Sequence, residues 1–427
     1  MTKVKGLRWL VIGLIGLVTV INYIDRNALA VMWPAVSKDI GADKADYALL
    51  VTMFMVAYAF GQSLFGKLLD RIGTRIGFVI AIAVWSVSIG AHALVRSLGA
   101  LLCLRVTLGV SEAGNWPGAV KANALWFPPQ ERAFAQGIFN AGAAIGAIIA
   151  APAVAALYAG FGWRTTFVLV GVLGFVWLIP WLFVYRADPD RHPWLSDEER
   201  AHINARPVAV EEAAPAPGML ELLRYRQSWA ILLSRFFLDP VWWLFVSWLP
   251  IYLAETFHFD VKQIGMFGWV PFVGAMLGSL GGGWFSGLLI ARGWSALSAR
   301  KLAIAIGGVI MLPALLLTAQ ASTPLSAVLL IAVILFGFQV AINNIQTMPG
   351  DYFAGGAVGS LAGISGTAAV AGTLITTWLV PVMTSQGYAP IFALAAAIVP
   401  LALLSILLLG RGLPRAAGTT SPERNPA

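Results

Sequence analysis

Four ionisable side chains stand inside strongly apolar sequence: Asp25 and Arg26 in the run 8–37, and Arg105 and Glu112 in the run 99–122. A charge inside a bilayer is costly unless it is paired or faces water, so each is a functional candidate. Arg105 and Glu112 are seven residues apart, two helical turns, and share one face; the neighbours Asp25 and Arg26 point about 100° apart and serve different partners. Two acids and two arginines balance, which allows a structural quartet of salt bridges. A buried ion pair, however, stabilises little for its desolvation cost. The chemical reading is stronger. Burial and a nearby arginine pull a carboxyl's proton affinity in opposite directions, which suits a proton carrier. Arginine's planar fork suits a carboxylate ligand.

Further along, Phe338-Gln339-Val340-Ala341-Ile342-Asn343-Asn344-Ile345-Gln346 places amides in another apolar run. Each amide offers a donor and an acceptor, as recognition of ligand hydroxyls requires. Ser365 and Thr367 could add hydroxyl contacts or simply pack. Trp242 and Trp243 read as core more readily than as ligand platforms, and Arg235 as a side chain snorkelling to the interface.

Composition sets where these residues sit. Of 427 residues 59% are hydrophobic and 11% charged, with a mean hydropathy of +0.80. A water-facing surface needs roughly a quarter charged residues, so lipid is the solvent. Twelve apolar runs follow, at 8–37, 46–66, 76–96, 99–122, 133–158, 164–185, 227–254, 263–290, 301–319, 324–349, 357–384 and 389–410. Each is long enough for a spanning helix. The basic start with the run Trp9–Ile21 and Ala28-Leu29-Ala30 imitates a cleaved leader, yet apolar sequence resumes at Val31, so it reads as an uncleaved first span. Lys67, Arg71 and Arg75, then Arg292, Arg300 and Lys301, then Arg411 and Arg415 mark alternate loops as positive, which predicts cytoplasmic termini. The net charge of +8 is therefore topology and not a nucleic-acid footprint. One cysteine and four scattered histidines give no disulfide framework or metal spacing, and no cofactor is expected.

The only long polar stretch, 186–226, divides the chain. The fold class expected is an all-α membrane protein of twelve transmembrane helices in two pseudo-symmetric six-helix bundles, 1–185 and 227–411, with 186–226 a cytoplasmic linker carrying one short surface helix. The tail 412–427 reads as disordered. Glycines such as Gly137, Gly142 and Gly146, and Gly359, Gly363 and Gly366, permit close helix approach.

The loop Gly66-Lys67-Leu68-Leu69-Asp70-Arg71-Ile72-Gly73-Thr74-Arg75 resembles the signature loop of the major facilitator superfamily. There Asp70, Arg71 and Arg75 would latch one conformation closed. At the matching place in the second half Gly287 stands where the motif has an acid, so no matching latch is expected from it. Asn22-Tyr23-Ile24-Asp25-Arg26, Arg105-x-x-x-Gly109-x-x-Glu112, Gly114-Asn115-Trp116-Pro117-Gly118, His192-Pro193-Trp194 and Phe237-Leu238-Asp239-Pro240-Val241-Trp242-Trp243 resemble the anion:cation symporter family. Within it they resemble the branch importing hexuronates and related sugar acids.

That resemblance implies a proton-coupled importer of an organic anion, with no enzymatic activity, working as a monomer in the inner membrane. It implies Asp25 and Glu112 as proton sites and Tyr23, Arg26 and Tyr58 at the substrate, with Arg105, Gln339, Asn344 and Ser365 as further candidates. Importers of this branch usually carry His and Trp where this chain has Phe338 and Ala341. The expectation is a pocket enlarged by the missing ring, for a bulkier anion. A carrier of another anion, such as phosphate, an aromatic acid or an acidic disaccharide, with different coupling or direction, is the alternative.

Overall fold

A computed structural model describes residues 3–204, 217–259, 261–353, 357–385 and 387–412. The centre of the linker and the tail from 413 lie outside the described residues.

Apolar runs bounded by capping residues make the helices. α1 (Leu7–Ile40) ends at Gly41, left-handed at φ 69°, a conformation glycine adopts without strain. α2 (Lys44–Ala91) begins in a capping box, where Asp43 accepts from Asp46 N while the Asp46 side chain accepts from Asp43 N. α3 (Leu98–Glu112) starts on a Ser97 cap, and α4 (Asn115–Trp126) follows two residues later. α5 (Pro129–Val184) opens with proline in its first turn. α6 (Asp197–Asn204) is the short helix expected of the linker. α7 (Arg226–Phe257), α8 (Val261–Phe267), α9 (Val270–Ala291), α10 (Ala296–Thr318), α11 (Pro324–Tyr352), α12 (Val358–Met383) and α13 (Ala389–Leu409) complete the order. The only bridge among the described residues joins Val4 to Leu195.

Nine helices among the described residues are long and apolar enough to cross a membrane. Two are double: α2 breaks at Gly73 (φ 80°, ψ 160°) and α5 at Gly162 (φ 73°, ψ 168°). Each break divides a long helix into two lengths that run as separate segments, which is how α2 and α5 can each hold two of the expected spans. Two expected spans are interrupted. The fourth breaks after Glu112, where Gly114 is pressed against Phe65 and Ala81. The eighth breaks between α8 and α9, at Gly268 and shortly before Pro271.

Buried apolar side chains form two main clusters. One draws on Leu7 to Ile203 with Val370, the other on Leu222 to Ile406 with Ala144. Between the halves the contacts are close and partly polar. A Cβ on Gly66 would lie 2.4 Å from the Gly359 carbonyl oxygen, so α2 and α12 touch backbone to backbone. Gly363 packs on Gln62 of α2 and Gly137 on Ser279 of α9, whereas Gly142 and Gly146 seat α1 within the first half.

Candidate functional site

At the middle of the molecule both halves line one cavity, with Tyr23, Arg26, Tyr58, Gln62, Trp116 and Asn140 from the first half facing Arg235, Asp239, Trp242, Trp243, Phe338, Gln339 and Gln346 from the second. Arg26 is its best-defined cation. Its Nη2 and Nε donate to Glu112 Oε2 at 3.0 and 3.3 Å. Four rings surround the guanidinium, Tyr23 at 5.5, Phe54 at 5.4, Tyr58 at 5.0 and Trp243 at 5.5 Å, an arrangement favourable to a desolvated cation. Glu112 is fully buried, and its Oε1 has no hydrogen-bond partner among the described residues. Asp25 is 1% exposed with neither oxygen partnered there. A carboxyl left so costs free energy as long as it stays ionised and unpaired.

Of the residues singled out in the sequence, Tyr23, Arg26, Tyr58 and Gln339 meet at the cavity. Gln339 Oε1 is buried and lacks a partner among the described residues. Three others lie off the cavity wall. Arg105 is buried 4.8 Å over Phe54, on the same ring that Arg26 approaches. Asn344 donates to Val340 O at 2.8 Å within its own helix. Ser365 receives Arg235 Nη1 at 3.2 Å and so stands behind the wall.

Two expectations are corrected. Arg235 does not snorkel: it is 6% exposed, lines the cavity, and its Nε and Nη2 pair with Asp239 at 3.1 and 3.3 Å. It sits more than two turns inside α7, and the i,i+4 Arg–Asp spacing was the available signal. The enlarged pocket is also overturned. Ala341 is fully buried away from the cavity and packs on α10, where a Cβ on Gly307 would approach the Ala341 Cβ to 3.0 Å. Phe338 does reach the cavity, stacked on Trp242 at 5.8 Å, so both it and the two tryptophans contribute walls. Gln346, one of the amides of the run 338–346, reaches the cavity as well, and so does Asp239 of the span-seven motif. Gln62 and Asn140 are the polar lining that sequence reasoning missed; a polar residue inside an apolar run was the clue.

One end of the cavity is closed by contacts between the halves. Asp70 accepts from Gly359 N at 3.1 Å and Ser360 N at 2.6 Å, at the start of α12, and pairs with Lys121 at 2.7 Å. Positive helix N-termini favour such a carboxylate. Arg71 is exposed, and Arg75 donates to Leu182 O in its own half. A second ion-paired contact between the halves is present despite Gly287. Asp351, ending α11, accepts from Arg132 of the first half and from Arg300 of its own, both at 3.0 Å. An acid at 287 would not fit, since a Cβ there meets Gln130 O at 2.4 Å.

Long apolar helices, two halves facing each other and a polar cavity between them define a multi-pass membrane carrier. The Major Facilitator Superfamily family model matches residues 15–343. The hexuronate transporter of Escherichia coli (strain K12) is 33% identical over 401 residues, 93% of this chain and 92% of that protein. The galacturonate transporter of Dickeya chrysanthemi is 34% identical over 316 residues, 73% of this chain and 91% of its own. The human organic anion transporter MFSD10 (TETRAN) shares the fold at a TM-score of 0.70 and 15% identity, covering 95% of this chain and 100% of that one. The chain belongs to the major facilitator superfamily, and it is a transporter and not an enzyme.

Proposed function

We propose that this protein is a proton-coupled symporter that imports a sugar acid, of the hexuronate or aldonate class, by alternating access. The two halves are the bundles that rock about the cavity, as a monomer in the inner membrane, with both termini and the Asp70 end cytoplasmic. The observation that carries this reading is Arg26, a guanidinium on the cavity wall held by Glu112 and framed by four rings. A ligand carboxylate that takes over the fork releases Glu112, and a proton on Glu112 or Asp25 keeps the buried charge balanced. Amide groups from both halves suit the hydroxyls of a sugar acid. The names of the E. coli and Dickeya relatives point the same way.

Arg235 favours a second reading, an acid with two carboxylates, because it offers a second guanidinium on the opposite wall. Uptake of labelled galacturonate, galactonate and galactarate into proteoliposomes tests both. The first reading requires accumulation of a monocarboxylate driven by an imposed pH gradient. Uptake that follows sodium, or no sugar acid transported at all, would overturn it.

A further inference from the structure

Asn140 and Gln346 do two things at once. Both line the central cavity, and both bond across the two halves. Asn140 Nδ2 donates to Gln346 Oε1 at 2.8 Å, and it also donates to Asn343 Oδ1. Gln136 Nε2 donates to the same Gln346 oxygen at 3.0 Å, so both lone pairs of that acceptor are taken by the first half. Asn140, Gln136 and Arg132 recur every four residues along α5, one stripe about 12 Å long. The stripe meets α11 at Gln346 and, through Arg132, at Asp351 at 3.0 Å; between these points Asn123 of α4 ties it together, donating to Gln136 Oε1 at 3.3 Å and to the Arg132 backbone oxygen at 2.8 Å. Arg300 completes the far end by donating to Pro129 O at 2.7 Å. Hydrogen bonds therefore link the cavity lining to the Arg132 backbone, and the Arg132 side chain carries the connection on to the Asp351 ion pairs.

We propose that ligand hydroxyls engage Asn140 and Gln346 in place of their bonds to each other, and so release the closed end. A hydroxyl is donor and acceptor together and can replace either amide's partner. The carboxylate at Arg26 then supplies affinity, while the hydroxyls at the floor supply the signal to open. An anion without hydroxyls binds and leaves the seam intact. Differential contact of this kind is what a ligand must have to shift a two-state equilibrium.

The proposal deepens the reading of the cavity as a sugar-acid site, and its test separates the two. Spin labels replacing Arg191 and Arg292, in full-length protein carrying Cys103→Ser, report the distance between the halves at the Asp70 end by pulsed electron resonance. Galacturonate should lengthen that distance in the otherwise unaltered protein. Cyclohexanecarboxylate, a ring carboxylate without hydroxyls, should bind and not lengthen it. Gln346→Met and Asn343→Ala should each raise the open population without ligand, by about fivefold per bond lost. Only Gln346→Met, which also removes a floor amide, should blunt the response to galacturonate. Asn343→Ala keeps the test decisive if the first variant folds poorly. Ligand-free distances unchanged in the folded variants, or equal lengthening by both anions, would overturn the proposal. If no sugar acid binds, the reading of the cavity fails, whereas the ligand-free comparison still decides the seam.

Discussion

Replacing Arg26 with methionine separates the ligand's partner from a structural ion pair. The substitution keeps an unbranched apolar stem among Tyr23, Phe54, Tyr58 and Trp243 but removes both bonds to Glu112 Oε2. Two costs follow. A charge-assisted bond to a ligand carboxylate is worth about 1.5–3 kcal/mol, and each 1.4 kcal/mol or so is a factor of ten, so the Kd for galacturonate should rise roughly 10- to 150-fold. Glu112, 0% exposed and with its other oxygen unpartnered among the described residues, loses its counter-charge, which costs about 3–5 kcal/mol while it stays ionised. Melting in detergent should therefore fall as well. The double variant Arg26→Met, Glu112→Gln removes both charges, and should recover the melting temperature without recovering binding. Arg26→Lys should rescue binding poorly because a point cation lacks the fork. Calorimetric titration of the purified variants gives the numbers. Arg26→Met binding galacturonate within about threefold of the unaltered protein would refute the assignment and leave a purely structural pair.

Other positions have definite outcomes. Asp25→Asn and Glu112→Gln should each abolish accumulation driven by a pH gradient, while at least one retains counterflow exchange; normal accumulation in both would return the acids to a structural role. Ala341→Trp should leave the ranking of sugar acids alone and lower the melting temperature, because the ring would be forced into α10 against Gly307, and overpacking costs about 1–3 kcal/mol or more. A change of ligand preference at unchanged stability would contradict that. His192, in the linker, has its pKa lowered mainly by burial; its Nδ1 accepts from Trp194 N at 3.1 Å while Nε2 faces Val184 O at 2.8 Å, as a neutral ring requires. Its contribution is complete above the unfolded value near 6.5 and is lost as pH falls through the lower folded value. The melting temperature should thus drop between pH 7 and pH 5, and drop less in His192→Gln; equal drops would refute the role.

Much of this architecture is local and so is legible in sequence. Apolar length decides which segments enter lipid, and caps such as Asp43, Ser97 and Pro129 decide where helices begin, since both act within a few residues. Asp25, Arg26 and Glu112 stand out for the same reason, as charges where the neighbouring sequence is apolar. Rotation and partnership are different. Whether Arg235 faces lipid, interface or cavity depends on how α7 turns against its neighbours, and the same applies to Ala341, which the helix aims at α10. The second contact between the halves joins Arg132 to Asp351 across more than two hundred residues, and no local spacing announces it. Sequence by itself determined membrane residence, the approximate place of the apolar helices and the charges of the first half, because hydropathy and capping depend on near neighbours; the breaks after Glu112 and at Gly268 came only with packing. Which candidates share a wall, and which bonds close one end of the cavity, only the tertiary structure decided, because those contacts come from packing segments distant along the chain.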